Sequence, residues 1–152
     1  MPYRQRIRQH AFVQKYISFY DSRLKANFHL PMMHIRIVQN GQSMRTDALI
    51  DSGATVTYIP IEIMDMLGVQ FPGTFDSSNS VGAGGQFDSY RVSIDRMDIL
   101  KNQDHLFQFE NLKVLVPKSP DAIPYTILGR DSIFHHFDIT FREREQKVVL
   151  RS

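Results

Sequence analysis

The residues best suited to chemistry in this sequence are Asp51, Ser52 and Gly53, which directly follow the apolar run Ala48-Leu49-Ile50. Burial disfavours a lone carboxylate strongly, so an aspartate at the end of a buried strand usually has a function or a partner. The glycine lets the backbone turn tightly and approach a ligand or another chain. The alternative interpretation is an Asx-type turn after a strand, because such a tripeptide arises by chance in roughly one chain in ten or twenty of this size.

Two further segments strengthen the functional interpretation through their order along the chain. The glycine-rich segment Val81-Gly82-Ala83-Gly84-Gly85 follows Asp51 and is flanked by strand-like sequence. Nearer the end of the chain, a short apolar strand runs into Ile127-Leu128-Gly129-Arg130-Asp131. A short helix and a terminal hairpin are predicted after that segment.

The elements that must position these segments are mostly strands, because apolar residues recur with period two between turn residues. Ile35 and Ile37 alternate with polar neighbours, and Asn40-Gly41 is the strongest hairpin signal in the chain. The return strand is predicted from Met44 to Ile50. Further strands are predicted at 55–59, 90–95, 106–116 and 125–128, short helices at 61–67 and 132–137, and a terminal hairpin at 137–150. We expect a domain over 32–152, preceded by an extension, residues 1–31, of uncertain structure.

In this order, the three segments resemble the motifs of the retropepsin-like aspartic peptidases. Asp51-Ser52-Gly53-Ala54 resembles the catalytic signature of that family, Val81 to Gly85 resembles the tip of its flap, and Ile127 to Asp131 resembles its second signature. The resemblance covers residues 32–150. It implies a single-lobed acid-protease fold, a mostly-β closed barrel with one or two short helices and a flap hairpin.

The terminal hairpin narrows the resemblance within the family. The stretches Phe137 to Phe141 and Val148 to Leu150 are more similar to bacterial and archaeal homologues, and to the DNA-damage-inducible ubiquitin-shuttle proteases, than to retroviral members. One departure concerns Thr55, which stands where retroviral enzymes usually place an acid that pairs with the signature arginine. Arg130 therefore needs a different partner, or the local brace differs.

The resemblance also implies a role for each segment. Asp51, Ser52 and Gly53 are expected to form the catalytic loop. The flap residues are expected to cover the substrate; they are Val81, Gly82, Ala83, Gly84 and Gly85. The residues expected to brace the base of the site are Gly129, Arg130 and Asp131.

The single signature has a consequence for assembly. Aspartic peptidases use two carboxylates about 3 Å apart that share one proton, and this chain carries one Asp-Ser/Thr-Gly signature. A symmetric homodimer supplies the second carboxylate, because Asp51 then meets its own copy on the two-fold axis. We therefore expect an aspartic endopeptidase that acts on extended segments of peptide or protein substrates. It needs no metal and no cofactor, and pairing of the terminal hairpins between subunits is expected to form the dimer.

Composition limits the other classes of function. The chain has 152 residues, 42% hydrophobic content and no cysteine, so one domain is expected, without disulfides or a thiol nucleophile. The net charge is +2, with the positive excess within residues 4–36. We favour a solvated basic end over nucleic-acid binding. The start of the chain is too polar for a signal peptide and no run is long enough for a membrane helix, so a soluble, cytoplasmic protein without membrane contact is expected.

Several competing interpretations stay open at this stage. A non-catalytic retropepsin-fold dimer that binds peptides or serves as an assembly module is the main alternative to a peptidase. A nucleic-acid-associated protein that uses the basic start of the chain is the third. His135-His136 is interpreted as structural and not as a metal site. Asp131 is interpreted as a helix N-cap and not as a second catalytic acid, and the glycine-rich segment lacks the Lys-Ser/Thr of a phosphate loop.

Overall fold

The computed structural model describes residues 11–82, 85–101 and 104–152. Contacts divide the chain into two compact units, residues 32–135 and residues 11–31 with 136–152. The described strands are, in chain order, β1 (Ala11–Lys15), β2 (Ile17–Asp21), β3 (Ala26–Leu30), β4 (Met32–Gln39), β5 (Gln42–Ile50), β6 (Ser77–Gly82), β7 (Gly85–Lys101), β8 (Asp104–Pro117), β9 (Thr126–Leu128), β10 (Asp138–Arg142) and β11 (Lys147–Arg151). The helices are α1 (Ile61–Met66) and α2 (Ile133–His136), with a 3₁₀ turn at Glu143–Glu145.

The larger unit is a ring of strands closed by backbone hydrogen bonds. β4 pairs with β5 and β7, β7 also pairs with β6 and β8, and β5 pairs in parallel with β9. The segment 57–59 completes the ring. Tyr58 exchanges two 2.9 Å bonds with Ile127, while Thr57 and Ile59 each make a 3.0 Å bond to Leu115. The predicted mostly-β architecture is therefore confirmed, and these hydrogen bonds join the strands of the larger unit into a ring.

The turn between β4 and β5 sets the register that carries the chain to Asp51. Asn40 has φ of 51° and Gly41 has φ of 76°, the conformation of a two-residue type I′ turn, whose twist matches that of the flanking strands. From this turn the ladder runs without a break from Gln39 opposite Gln42 to Met32 opposite Leu49. The predicted hairpin is thus present, and β5 ends one residue before Asp51.

The core of the larger unit is made by the alternating apolar residues of these strands. Ile35 and Ile37 are fully buried, which confirms the alternation of buried and more exposed residues predicted for β4. The remaining fully buried large side chains of this unit come from β4, the segment 57–59, β7, β9 and the two helices: Met32, Met33, Ile59, Met64, Ile94, Met97, Ile99, Leu100, Leu128 and Ile133.

β7 and β8 are longer than the sequence pattern predicts. They span 17 and 14 residues, against predicted strands at 90–95 and 106–116. Within β7, the charged residue Asp98 interrupts the apolar pattern of the strand, although its side chain is buried and only 3% exposed. It lies under two arginines, 3.1 Å from Arg96 and 3.7 Å from Arg36. Ion pairing thus allows a carboxylate at a buried strand position where the sequence pattern favours a loop.

Both predicted helices are present and short. α1 buries Ile63 and Met64, and the chain leaves it through Gly68 with φ of 79°, the left-handed conformation that favours glycine after a helix. α2 has four residues. In the part of the chain that the structure describes, no helix is long and apolar enough to cross a membrane.

The smaller unit contains a three-stranded sheet in the order β1-β11-β10 and a separate hairpin formed by β2 and β3. The predicted terminal hairpin is present, with β10 paired to β11. Residues 11–31, whose structure could not be predicted from local patterns, form three strands. Because β1 of the same chain pairs with the second edge of β11, only the outer edges of this sheet are open. Pairing of terminal hairpins between subunits stays a prediction, and it would have to use β1 or β10.

Tyr16 ties the two ends of the smaller unit together. Its side chain is 8% exposed, and its hydroxyl donates a 2.9 Å hydrogen bond to Glu143. Burial, and then the neighbouring Glu143 carboxylate, raises the pKa of Tyr16 to about 12. The neutral phenol is therefore favoured in the folded state, and the unfolded chain ionises first as the pH rises.

Tyr16→Phe should lower the free energy of unfolding by about 1.5 kcal/mol at pH 8, because a hydrogen bond to a charged group is lost. The Tyr16 contribution is fully present below the ordinary tyrosine pKa of about 10 and is lost as the pH rises through about 12. The difference between wild type and variant should therefore shrink above pH 10. Urea unfolding at pH 8 and pH 11 measures it, with exposed Tyr20→Phe as the control. A difference that grows with pH would contradict this account.

Candidate active site

Asp51 is placed by the one parallel strand pair among the described ladders. β5 and β9 lie side by side with Ile50 opposite Leu128, so the residues after both strands enter the same region. The Asp51 amide continues the pairing by donating to the Leu128 carbonyl at 3.1 Å. Parallel pairing thus brings together the two segments that the sequence analysis selected, although 77 positions separate Asp51 from Leu128.

The carboxylate of Asp51 is held by the turn that follows it. Its Oδ1 accepts a 2.9 Å hydrogen bond from the Gly53 amide, and the Ala54 amide donates to the Asp51 carbonyl at 3.2 Å. A Cβ on Gly53 would lie 3.2 Å from that same Oδ1, so a side chain there would press on the carboxylate. Asp51 is partly exposed, while Ser52 and Gly53 are exposed. The turn therefore presents an oriented carboxylate to solvent.

The second segment packs against the carbonyl groups of the first. The Arg130 amide donates to the Ala54 carbonyl at 2.8 Å, and the Asp131 amide donates to the Thr55 carbonyl at 3.2 Å. Gly129, directly before Arg130, lies so close to the first segment that a Cβ would be 2.3 Å from the Val56 carbonyl oxygen. Glycine is required at this position because any side chain would collide with backbone that cannot move independently.

Thr57 connects the two segments through its hydroxyl group. The Oγ1 atom accepts a 3.2 Å hydrogen bond from the Gly129 amide and donates to Asp131 at 3.1 Å. It also lies 2.8 Å from the Ser132 hydroxyl, which in turn reaches the Gly129 carbonyl at 3.2 Å. Thr57 and Ser132 are completely buried. A small buried polar network thus replaces apolar packing at the base of the site.

Neither Thr57 nor Ser132 was predicted as a site residue. Ser132 directly follows the second motif, whereas Thr57 lies three residues after Ala54, so no local signal connects the two hydroxyl groups. Asp131 was interpreted as a helix N-cap, but its carboxylate accepts from Thr57 instead. Burial raises the pKa of Asp131 above its ordinary value, and the Thr57 hydrogen bond opposes that shift.

Arg130 contributes its backbone and not its side chain to these contacts. The guanidinium group is exposed, and it makes no ion pair within the described residues. Thr55, which stands where retroviral enzymes usually place an acid, is exposed as well and gives its carbonyl to Asp131. The brace therefore consists of amide-to-carbonyl bonds between two loops.

The predicted flap segment belongs to the hairpin of β6 and β7, in which Val81 lies opposite Gln86 and Gly82 opposite Gly85. Ala83 and Gly84, the other two predicted flap residues, lie outside the described residues. The base of this hairpin is attached to the loop after β8. Lys118 donates a 2.7 Å hydrogen bond to Ser77 and lies 4.9 Å from the centre of the Tyr90 ring.

An open, polar cavity of about 310 Å³ lies between this hairpin and the loop after β8. Its walls carry amide, carboxylate and hydroxyl groups, and they are formed by Asn79, Gln86, Asp88, Pro117, Ser119 and Ala122. Among the described residues, no group of three or more His, Asp or Glu side chains is arranged to hold a metal ion.

A closed ring of strands with two interlocked loops, one of which presents an aspartate, defines a single-lobed aspartic-protease fold of the retropepsin-like kind. A family model described as aspartyl protease matches residues 34–132, and the chain belongs to this family. A retropepsin-like aspartic protease from Rickettsia conorii has a similar crystal structure, with a TM-score of 0.54, 13% identity and 94% coverage of each chain. At that identity the likeness shows the fold. A search of curated proteins finds no match.

Replacing the hydroxyl that connects the two loops should loosen the site. Thr57→Val keeps the shape of the side chain but leaves the buried Gly129 amide without its acceptor, so we expect a loss of about 2–3 kcal/mol in the free energy of unfolding. Thr57→Ser keeps the hydroxyl and is the matched control, with an expected loss of about 1 kcal/mol from the missing methyl group. Urea unfolding measures both. Equal losses in the two variants would show that the hydroxyl network contributes nothing.

Proposed function

We propose that the protein is an aspartic endopeptidase that acts as a symmetric homodimer, with Asp51 of each chain supplying one of two catalytic carboxylates. The observation that carries the proposal is a partly exposed Asp51 carboxylate fixed by Gly53 and by the loop interlock described above. A carboxylate that served only to cap a turn would not require a second loop to be locked against it. Membership of the aspartyl protease family supports the same chemistry.

In the proposed reaction, a water molecule lies between the two Asp51 carboxylates, which share one proton. The ionised carboxylate takes a proton from the water as the water oxygen attacks the peptide carbonyl carbon. The protonated carboxyl group donates its proton to the developing oxyanion. The carbon–nitrogen bond then breaks as the carboxyl group that took the water proton donates it to the leaving nitrogen, and the other carboxylate takes a proton from a hydroxyl group of the intermediate, which restores the shared proton. The two apparent pKa values of activity belong to the pair of carboxylates and not to either one.

The dimer is required because each chain has one such loop. Like charges about 3 Å apart separate the two ionisation steps of the pair, so between those steps one carboxyl group is protonated and the other ionised, and an acid and a base are present together. On the two-fold axis Ser52 is in position to donate its hydroxyl across to the other chain. The exposure of Ser52 and Gly53 supports this arrangement, since the loop is open to a partner.

Substrate binding is assigned to the hairpin of β6 and β7. Its tip is rich in glycine, which allows the backbone to come close to an extended peptide and to open again after cleavage. Main-chain hydrogen bonds of the kind made in strand addition would hold the peptide. Lys118 fixes the base of the hairpin to the loop after β8.

Asp51→Asn should abolish peptide cleavage, because an amide cannot act as base and two amides cannot share the acidic proton. Cleavage of a peptide library is measured for purified wild type and variant between pH 4 and pH 8, where the wild type should show a bell-shaped profile. Asp65→Asn, an exposed carboxylate at the end of α1, is the matched control and should keep full activity. Wild-type rates in Asp51→Asn protein would refute the peptidase proposal.

Mixing the two forms tests whether the two carboxylates come from two chains. After equilibration of equal amounts of wild type and Asp51→Asn, random pairing leaves about half of the wild-type chains in dimers with two aspartates. Activity per wild-type chain should therefore fall to about half. Mixing with Asp65→Asn should leave it unchanged. Activity per wild-type chain that does not respond to added Asp51→Asn would show that one chain holds the complete site.

A further inference from the structure

Exposed apolar side chains are concentrated in the smaller unit. Of the six exposed large apolar side chains in the described residues, five belong to residues 11–31 and 136–152, and the sixth is Met66. The five are Val13, Tyr20, Leu24, Phe28 and Phe141. This unit also lies outside residues 34–132, which the aspartyl protease model matches. Apolar surface that concentrates in one part of a chain indicates an interaction site.

Within this unit, the hairpin of β2 and β3 has one apolar face. Its register places Ile17 opposite Leu30 and Phe19 opposite Phe28, and side chains directly opposite each other lie on the same face of a sheet. The other face is polar apart from Tyr20 and carries Ser18, Asn27 and His29. The alternation along both strands is that of a sheet with one covered side.

The apolar face of the β2–β3 hairpin is less deeply buried than the core of the larger unit. Ile17, Phe19 and Leu30 are half-buried and Phe28 is 38% exposed. Ile35 and Ile37 of β4, by comparison, are completely buried. In the described chain β2 and β3 pair only with each other. A two-stranded sheet is marginally stable in water unless a further surface covers its apolar face.

We infer that the apolar face of the β2–β3 hairpin packs against the same face of a second copy of this chain. The inference rests on the proposed function, which is incomplete without a second copy because each chain supplies one Asp51 carboxylate. On a two-fold axis the same face meets itself, so one self-complementary apolar face is sufficient for both partners. In the three-stranded sheet of the same unit, both edges of β11 are already paired within the chain.

Sedimentation equilibrium tests the inference through matched variants. Phe28→Ser removes an apolar ring from each of the two faces, so we expect the dissociation constant of the dimer to rise at least tenfold. Met66→Ser removes a side chain that is 66% exposed in the larger unit, and it should leave the dissociation constant unchanged. Circular dichroism confirms that both variants are folded. An unchanged dissociation constant in folded Phe28→Ser would overturn the inference.

Cross-linking gives a second readout that does not depend on weakening the dimer. The chain has no cysteine, so a single introduced cysteine reports only on its own copy. Sheets packed face to face lie about 10 Å apart, and a bismaleimide of roughly that span should join Phe28→Cys chains into covalent dimers. Asn27→Cys, one residue away on the polar face, should remain largely monomeric on a denaturing gel. Equal cross-linking of both variants would contradict face-to-face packing.

The two proposals can fail separately. If the wild type cleaves peptides and Phe28→Ser pairs as tightly as the wild type, the dimer forms elsewhere and the hairpin inference fails alone. If Phe28→Ser weakens the dimer but no peptide is cleaved by the wild type, the hairpin inference stands and the peptidase proposal fails.

Discussion

The contact on which the rest of the structure depends is the approach of Gly129 to the backbone of the loop that follows Asp51. A Cβ at this glycine would lie 2.9 Å from the Ala54 carbonyl oxygen and 2.5 Å from the Val56 carbonyl carbon. Because Gly129 has no side chain, the two loops lie close enough for the amides of Arg130 and Asp131 to donate to their carbonyl partners. The orientation of the carboxylate thus follows from a backbone contact, and it does not rely on a charged partner.

The same loop also closes the ring of strands. Within two residues of Val56 the chain becomes the segment 57–59 that joins β8 to β9 through Leu115 and Ile127. Loops that carry functional residues usually lie on a rigid scaffold that is separate from them, whereas here the loop after Asp51 continues into a strand segment of the scaffold itself. Loss of the Thr57 hydroxyl network would therefore disturb both the barrel and the site, because one segment serves both.

Local sequence patterns predicted the turn between β4 and β5 and the buried end of β5, because residues next to each other in the chain determine both. Asn40-Gly41 predicted the β4–β5 hairpin because both residues tolerate positive φ. The apolar run before Asp51 predicted the buried end of β5. The parallel pairing of β5 with β9 left no local pattern and was not predicted, since the order of the two motifs indicated a family resemblance and not a strand pairing. Thr57 was missed because its role depends entirely on distant residues. β1 was missed because Phe12 is its one buried residue.

Charge and apolar surface have opposite effects on pairing in the proposed dimer. Residues 1–31 and 136–152 contain ten basic and four acidic side chains, while residues 32–135 contain eight basic and twelve acidic ones. In the inferred dimer the β2–β3 hairpin faces of two copies meet, so the basic part of one chain meets the basic part of the other, and like charges oppose association. Exposed ion pairs such as Arg23 with Asp21 lie within one chain and contribute little across an interface. Burial of the apolar face around Phe28 is the contribution that can offset this repulsion.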